Sequence, residues 1–170
     1  MAVSTTVHSA IINAIAASPP TLMDAGVFGG NVKVQIARVA IADNDDVGSI
    51  YRMFRVKSTD TVLSIKYYTP DTLTAMAADL GLYQTAANGG AVADADAYAS
   101  AQSLATANVL AGVEMAFEAR GVGALGQPVW DDISGVSADT HRAYDIALTI
   151  TTQVTDPGTL TMIMFYVENN

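Results

Sequence analysis

Between Ile50 and Tyr83 the chain runs through three apolar, β-branched and aromatic stretches, Ile50 to Val56, Val62 to Tyr68 and Leu73 to Tyr83, broken by Lys-Ser-Thr-Asp and Thr-Pro-Asp. Turn formers between such stretches predict three consecutive antiparallel strands. Leu63, Ile65 and Tyr67 alternate with Ser64 and Lys66, and a period of two sends one set to a core and the other to water or a partner. Upstream, Val32, Val34 and Ile36 alternate with Lys33 and Gln35, after which Ala37, Val39 and Ile41 take the opposite phase around Arg38. That slip predicts a β-bulge or sharp twist near residue 37. Asp-Asn-Asp-Asp-Val-Gly at 43–48 then makes a hairpin turn. It has acids where a calcium loop wants them but Val47 and Phe54 where such a loop needs ligands.

Downstream the pattern loosens. Residues 85–112 are nearly all small, with Asn88-Gly89-Gly90 favouring a tight reversal, and predict a long loop with a short helical turn near Tyr98. Val113, Met115 and Phe117 alternate with Glu114, Ala116 and Glu118 as a further strand, and residues 120–141 form a Gly-punctuated loop in which Trp130 plugs a core edge. Tyr144, Ile146, Leu148 and Ile150 alternate cleanly, Thr-Asp-Pro-Gly-Thr at 155–159 turns, and 160–167 return. In that last run both faces are apolar: Leu160, Met162, Met164 and Tyr166 on one, Ile163, Phe165 and Val167 on the other. Such a strand lies between two sheets or under a subunit contact. About eight short strands predict an all-β, two-sheet sandwich, in its simplest form a jelly roll. Residues 1–31, rich in small residues, read as an extended N-terminal arm with one helix from Ser9 to Ala16, ended by Pro19 and Pro20; residues 32–170 are the sandwich.

Length, composition and charge change this picture further. The 170 residues suit one domain. No cysteine is present, which removes disulfides and thiolate metal sites. A net charge of −9 argues against nucleic acid as a ligand. The eight residues 10–17 are too few for a membrane span. Charge is uneven: residues 1–66 hold six of the eight basic residues, Lys33, Arg38, Arg52, Arg55, Lys57 and Lys66, against five acids, while 67–170 hold two against twelve. Those basic residues that share a sheet face would form a patch for an acidic partner.

No catalytic pattern emerges. A Ser-His-Asp site needs a histidine, and neither His8 in the arm nor His141 before a strand lies in a nucleophile motif or has a second histidine at metal-ligand spacing. Glu114 with Glu118, or Asp131 with Asp132, are the carboxylate pairs that could face a cleft. Gly121, Gly123 and Gly126 miss the spacing of a phosphate loop. The expectation is no enzyme, no cofactor and no metal.

The order of motifs carries more. The run DLGLYQTAANGGAVADADAYASAQSL at 79–104, preceded by YRMFRVKSTDTVLSIKYY and followed by GVEMAFEAR, PVWDD and YDIALTITT, resembles small head-decoration, or capsid cement, proteins of tailed bacteriophages. The resemblance covers roughly residues 20–167. It implies a non-enzymatic β-sandwich subunit, commonly a homotrimer, on the outer surface of the virion, bound to the major capsid protein and tying capsomers together, with neither nucleic acid nor membrane as partner. The residues expected at partner contacts are Lys33, Arg38, Arg52, Arg55, Lys57, Met162, Met164 and Tyr166. Two other readings stand beside it: another virion role, at the head-tail joint or tail, and a carbohydrate-binding sandwich with Trp130, Tyr67, Tyr68 and Tyr83 as stacking rings.

Overall fold

The computed structural model describes residues 9–21, 28–70 and 73–169. Eight strands form two four-stranded antiparallel sheets: β1 (Val32–Ile41), β8 (Gly158–Val167), β3 (Thr61–Thr69) and β6 (Asn108–Glu114) in one, β2 (Ile50–Lys57), β7 (Ala143–Thr152), β4 (Ala77–Gln84) and β5 (Val92–Ser103) in the other. The order β1-β8-β3-β6 over β2-β7-β4-β5 is that of a jelly roll, and the all-β sandwich expected from the alternation is what the chain forms. Its core is the set of inward positions of both sheets, with Ile65, Leu80, Leu82, Ile146, Leu148, Leu160, Met162 and Met164 all sealed from solvent.

Several local expectations are corrected. The stretches from Ile50 to Tyr83 are strands but not neighbours, because β2 and β4 lie in one sheet and β3 in the other. The 43–48 segment therefore crosses between sheets instead of closing a hairpin. Asp45 Oδ2 braces that crossing by accepting from the Ala42 N–H at 3.0 Å and from the Tyr51 hydroxyl. Leu73 and Met76, placed in the third stretch, precede β4 as fully buried turn residues.

Residues 92–103 form a twelve-residue strand, not a loop with a helical turn near Tyr98. Gly81 lets β5 lie close on β4, since a Cβ there would overlap the Asp94 carbonyl. The reversal at 88–90 is as expected, with Gly89 at φ 97° and Gly90 at φ 70°. The strand expected at Val113 to Phe117 ends at Glu114, and Met115 turns into the core. In the 120–141 loop, Val129 and Ile133 are the buried plugs, whereas Trp130 is only half-buried.

The phase slip in β1 also has another cause. Its register with β8 runs unbroken from Val32 opposite Val167 to Ile41 opposite Gly158, without a bulge. Ala37, Val39 and Ile41 point inward, so Val32, Val34 and Ile36 face outward and are 59%, 53% and 68% exposed. Register shifts do occur in other ladders, and the one that matters here lies in β2 at Met53, between Arg52 and Phe54. Ahead of β1, the helix α1 (Ala10–Ala16) is capped by Ser9, whose hydroxyl accepts from the Ile12 N–H at 3.3 Å.

Candidate functional surfaces

Arg52 and Arg55 are three residues apart, a spacing that puts side chains on opposite faces of a regular strand. The extra residue at Met53 cancels that: Arg52 pairs with Ala147 and Arg55 with Asp145, so both arginines project from the same outer face. They meet at Asp145. Arg52 Nη1 donates to its Oδ2 at 2.9 Å, and Arg55 Nε and Nη2 donate to Oδ1 and Oδ2 at 2.8 and 3.3 Å. Burial pushes the Asp145 carboxyl up, but the hydrogen bonds and charges of Arg55 and Arg52 outweigh it and hold the group below the usual carboxylate range. Arg52 also donates to the Gln84 and Gly90 carbonyls at 2.8 and 2.9 Å and lies 5.5 Å over the Tyr83 ring. The depression beside them, about 350 Å³, is lined by Arg52, Met53, Phe54, Arg55 and Asp145.

The remaining basic residues divide. Lys33 and Lys57 both reach Glu168, the latter at 2.7 Å, and so tie the ends of β1, β2 and β8 together. With the arginines this makes four cations against two carboxylates, Asp145 and Glu168, a local excess of two positive charges at the β1/β2 edge. Gln35 closes that edge, donating to the Arg55 carbonyl at 2.9 Å. Arg38 and Lys66 lie elsewhere, on the outer face of the β1-β8-β3-β6 sheet, where Arg38 Nε donates to Thr161 Oγ1 at 3.1 Å. The sequence thus carries two basic regions on opposite sides of the sandwich, not one.

Of the residues on the last strand, Met162 and Met164 fill the inter-sheet core, one of the two places expected for them, and Tyr166 packs half-buried against it. No partner reaches the two methionines while the sandwich is folded. The opposite face of β8 is what remains available. Val34 pairs with Phe165 and Ile36 with Ile163, and together with Val32 they make an outward apolar patch in which Phe165 is 40% exposed. Lys66 and Arg38 border it. The pattern of the sequence gives Val32, Val34 and Ile36 the phase of a bulge, whereas the second apolar face of β8, with Ile163 and Phe165, is legible in it.

Of the candidate catalytic groups, Glu114, Glu118 and Asp132 serve as structural acceptors, while Asp131 is exposed. Glu114 Oε1 accepts from the N–H groups of Ile65 and Ala116 at 2.8 and 2.9 Å, and Oε2 from the Ser64 hydroxyl. Glu118 accepts from the Ser100 N–H at 2.6 Å. Asp132 is fully buried and accepts from Arg120 Nη1 at 2.9 Å and the Tyr98 hydroxyl at 3.1 Å. Its carboxyl is pushed up to about 6, chiefly by burial, against the pull of Arg120. Burial likewise drives the Tyr98 hydroxyl well above its usual range. His141 is exposed and pairs with Asp139 at 2.8 Å, while His8 lies outside the described residues. Among the described residues no group of three or more metal-ligating side chains converges. Of the proposed sugar-stacking rings, Tyr67 and Tyr83 are 3% and 1% exposed, so the four do not form a platform.

No family model matches the sequence, and no curated protein matches it. Solved structures do. A chain in the capsid asymmetric unit of cyanophage Pam1 superimposes with a TM-score of 0.51 at 15% identity, over 84% of this chain and 88% of that one. A chain in the capsid of Ralstonia phage GP4 gives 0.50 at 13% identity, over 81% and 86%. At such identities the likeness is one of fold, and it spans nearly the whole of all three chains.

Proposed function

We propose that this protein is a non-enzymatic structural subunit of a tailed-phage virion: a decoration or cement subunit, working as a homotrimer, that binds the major capsid protein on the outer surface of the shell and braces neighbouring capsomers. The observation that carries this reading is the match in fold, over 84% and 81% of the chain, with chains of two phage capsids. The surfaces agree with it. Glu114, Glu118 and Asp132 are occupied as acceptors, whereas an exposed apolar patch and a basic edge stand on an acidic molecule. Such a pairing suits a docking protein, in which opposite charge steers encounter and apolar burial holds the complex. Lys57 and the outward side of Arg55, at the basic edge, are the charges proposed to meet acidic groups on a shell.

The test uses purified protein and shells that lack it. Cosedimentation should show saturable binding, with capture slowed by salt more than the bound subunit is released, and cryo-EM should place the added density on the outside between capsomers. Density confined to the shell interior, the portal or the tail would overturn the decoration role, as would absence of binding at low and physiological salt.

A further inference from the structure

Among the exposed apolar side chains of the described residues, two groups are of a size to cover one another. One is the sheet patch of Val32, Val34, Ile36 and Phe165, and the other is α1, on which Ile12 and Ile15 are 49% and 51% exposed. Residues 9–21 contain no charged side chain, so no charge has to be desolvated when that segment is buried against an apolar surface. The dimensions agree: seven helical residues span about 10 Å, and Val32 to Ile36 along β1 spans about 13 Å. Within the chain, the described hydrogen bonds of this segment are local, Asn13 N–H to the Ser9 carbonyl and Thr21 N–H to the Ala14 carbonyl. Among the described residues α1 makes no hydrogen bond to its own sheet, and both of its isoleucines stay about half exposed.

We infer that α1 of one copy docks on the outer face of the β1-β8-β3-β6 sheet of a second copy, with Ile12 and Ile15 against Val34, Ile36 and Phe165. The two surfaces differ, so the contact is heterologous, and it closes only as a ring in which every copy gives one arm and receives another. A seven-residue helix is marginal alone in water and gains its order from that contact. The inference concerns copies of this chain: it assigns the apolar patch to the contact between copies and leaves the basic edge for the shell, and its test needs no shell.

Complementation tests it. The full-length chain is measured by sedimentation across the micromolar range, beside Ile36→Asp, which disables the face, and Ile12→Asp/Ile15→Asp, which disables the arm. All four positions of change are solvent-exposed or adjacent to exposed strand, so melting temperatures should match wild type; Val34→Lys replaces Ile36→Asp if that variant does not fold. Wild type should form a closed oligomer, and each variant should associate at least ~10-fold more weakly. An equimolar mixture of the two variants should recover a 1:1 heterodimer and nothing larger, since one intact arm meets one intact face. Wild type that remains monomeric overturns the inference and indicates docking within a chain or none. So does an arm variant that associates like wild type, which would mean sheet-on-sheet packing, or a mixture that fails to pair.

Discussion

Arg120→Met probes how the long loop between β6 and β7 is fastened. The Arg120 side chain is 3% exposed and lies between the rings of Phe117 and Tyr98, 5.3 and 5.5 Å from their centroids. It donates to Asp132 at 2.9 Å, to the Ala124 carbonyl at 2.9 Å and to the Val62 carbonyl at 3.2 Å. One guanidinium therefore joins two parts of the loop to β3. Methionine keeps much of the volume but strands a buried carboxylate and two carbonyls. Breaking a buried pair from one side costs about 3–5 kcal/mol, which for a chain of this size lowers the melting temperature by on the order of 10 °C. Asp132→Asn in the same background removes the stranded charge and keeps an acceptor for Tyr98, so the double variant should lose about 1–3 kcal/mol less than the sum of the singles. Urea titrations followed by circular dichroism at neutral pH give all four corners of the cycle. A loss under about 1 kcal/mol for Arg120→Met, the range of exposed pairs, would show that Val129 and Ile133 hold the loop without the ion pair, and would refute the reasoning.

Asp132 also sets a pH dependence. Its folded-state pKa of about 6 lies above the ordinary 3.8, so the folded protein holds that proton more tightly than the unfolded chain. The stability it contributes is fully present below about pH 4 and is lost as pH rises through about 6; the wild-type advantage over Asp132→Asn should shrink by about 3 kcal/mol across that window, and a gap that is flat or grows from pH 4 to 7 contradicts the assignment. Met164→Asp should give insoluble or unfolded protein, while Phe165→Asp, one residue on and facing out, should fold with a melting temperature near wild type; equal behaviour of the two would mean the β8 register is wrong. Gly81→Val should separate β4 from β5 and abolish cooperative folding, since even a Cβ there overlaps the Asp94 carbonyl; a variant that melts like wild type would show that β5 does not lie so close.

What the sequence revealed depended on whether side chains report their surroundings. β7 was plain because Tyr144, Ile146, Leu148 and Ile150 face the core and Asp145, Ala147 and Thr149 do not. β5 was hidden because alanine and aspartate give no hydrophobic period, and what makes that segment a strand is the space left by Gly81 on its neighbour. Sheet membership was also invisible: the segments joining β2 to β3 and β3 to β4 look like hairpin turns, yet each crosses the sandwich. For the surfaces, the type of residue was legible and its placement was not. Arg52 and Arg55 converge only because of the Met53 bulge, and the apolar Val32, Val34 and Ile36 read as core until the unbroken register with β8 turned them outward.

The pairing of β1 with β8 has a mechanical consequence. Val32 lies opposite Val167, so the arm and the C-terminal residues leave the sandwich at the same end. The two ends are not equally fastened: Asn169 is clamped to Thr59, donating to its carbonyl at 2.8 Å and accepting from its hydroxyl at 3.1 Å, while the chain entering Val32 is held at the first rung by Lys33 on Glu168. Tension applied through the arm away from the sheet reaches β1, an edge strand with one neighbour, at its terminal rung, and opens the ladder bond by bond in the manner of a zipper. Tension along β8 is shared by hydrogen bonds to both β1 and β3. A copy tethered by its arm should therefore give way at low force by peeling its first strand, leaving the rest of the sandwich intact, whereas the same force through β8 would have to shear two ladders at once.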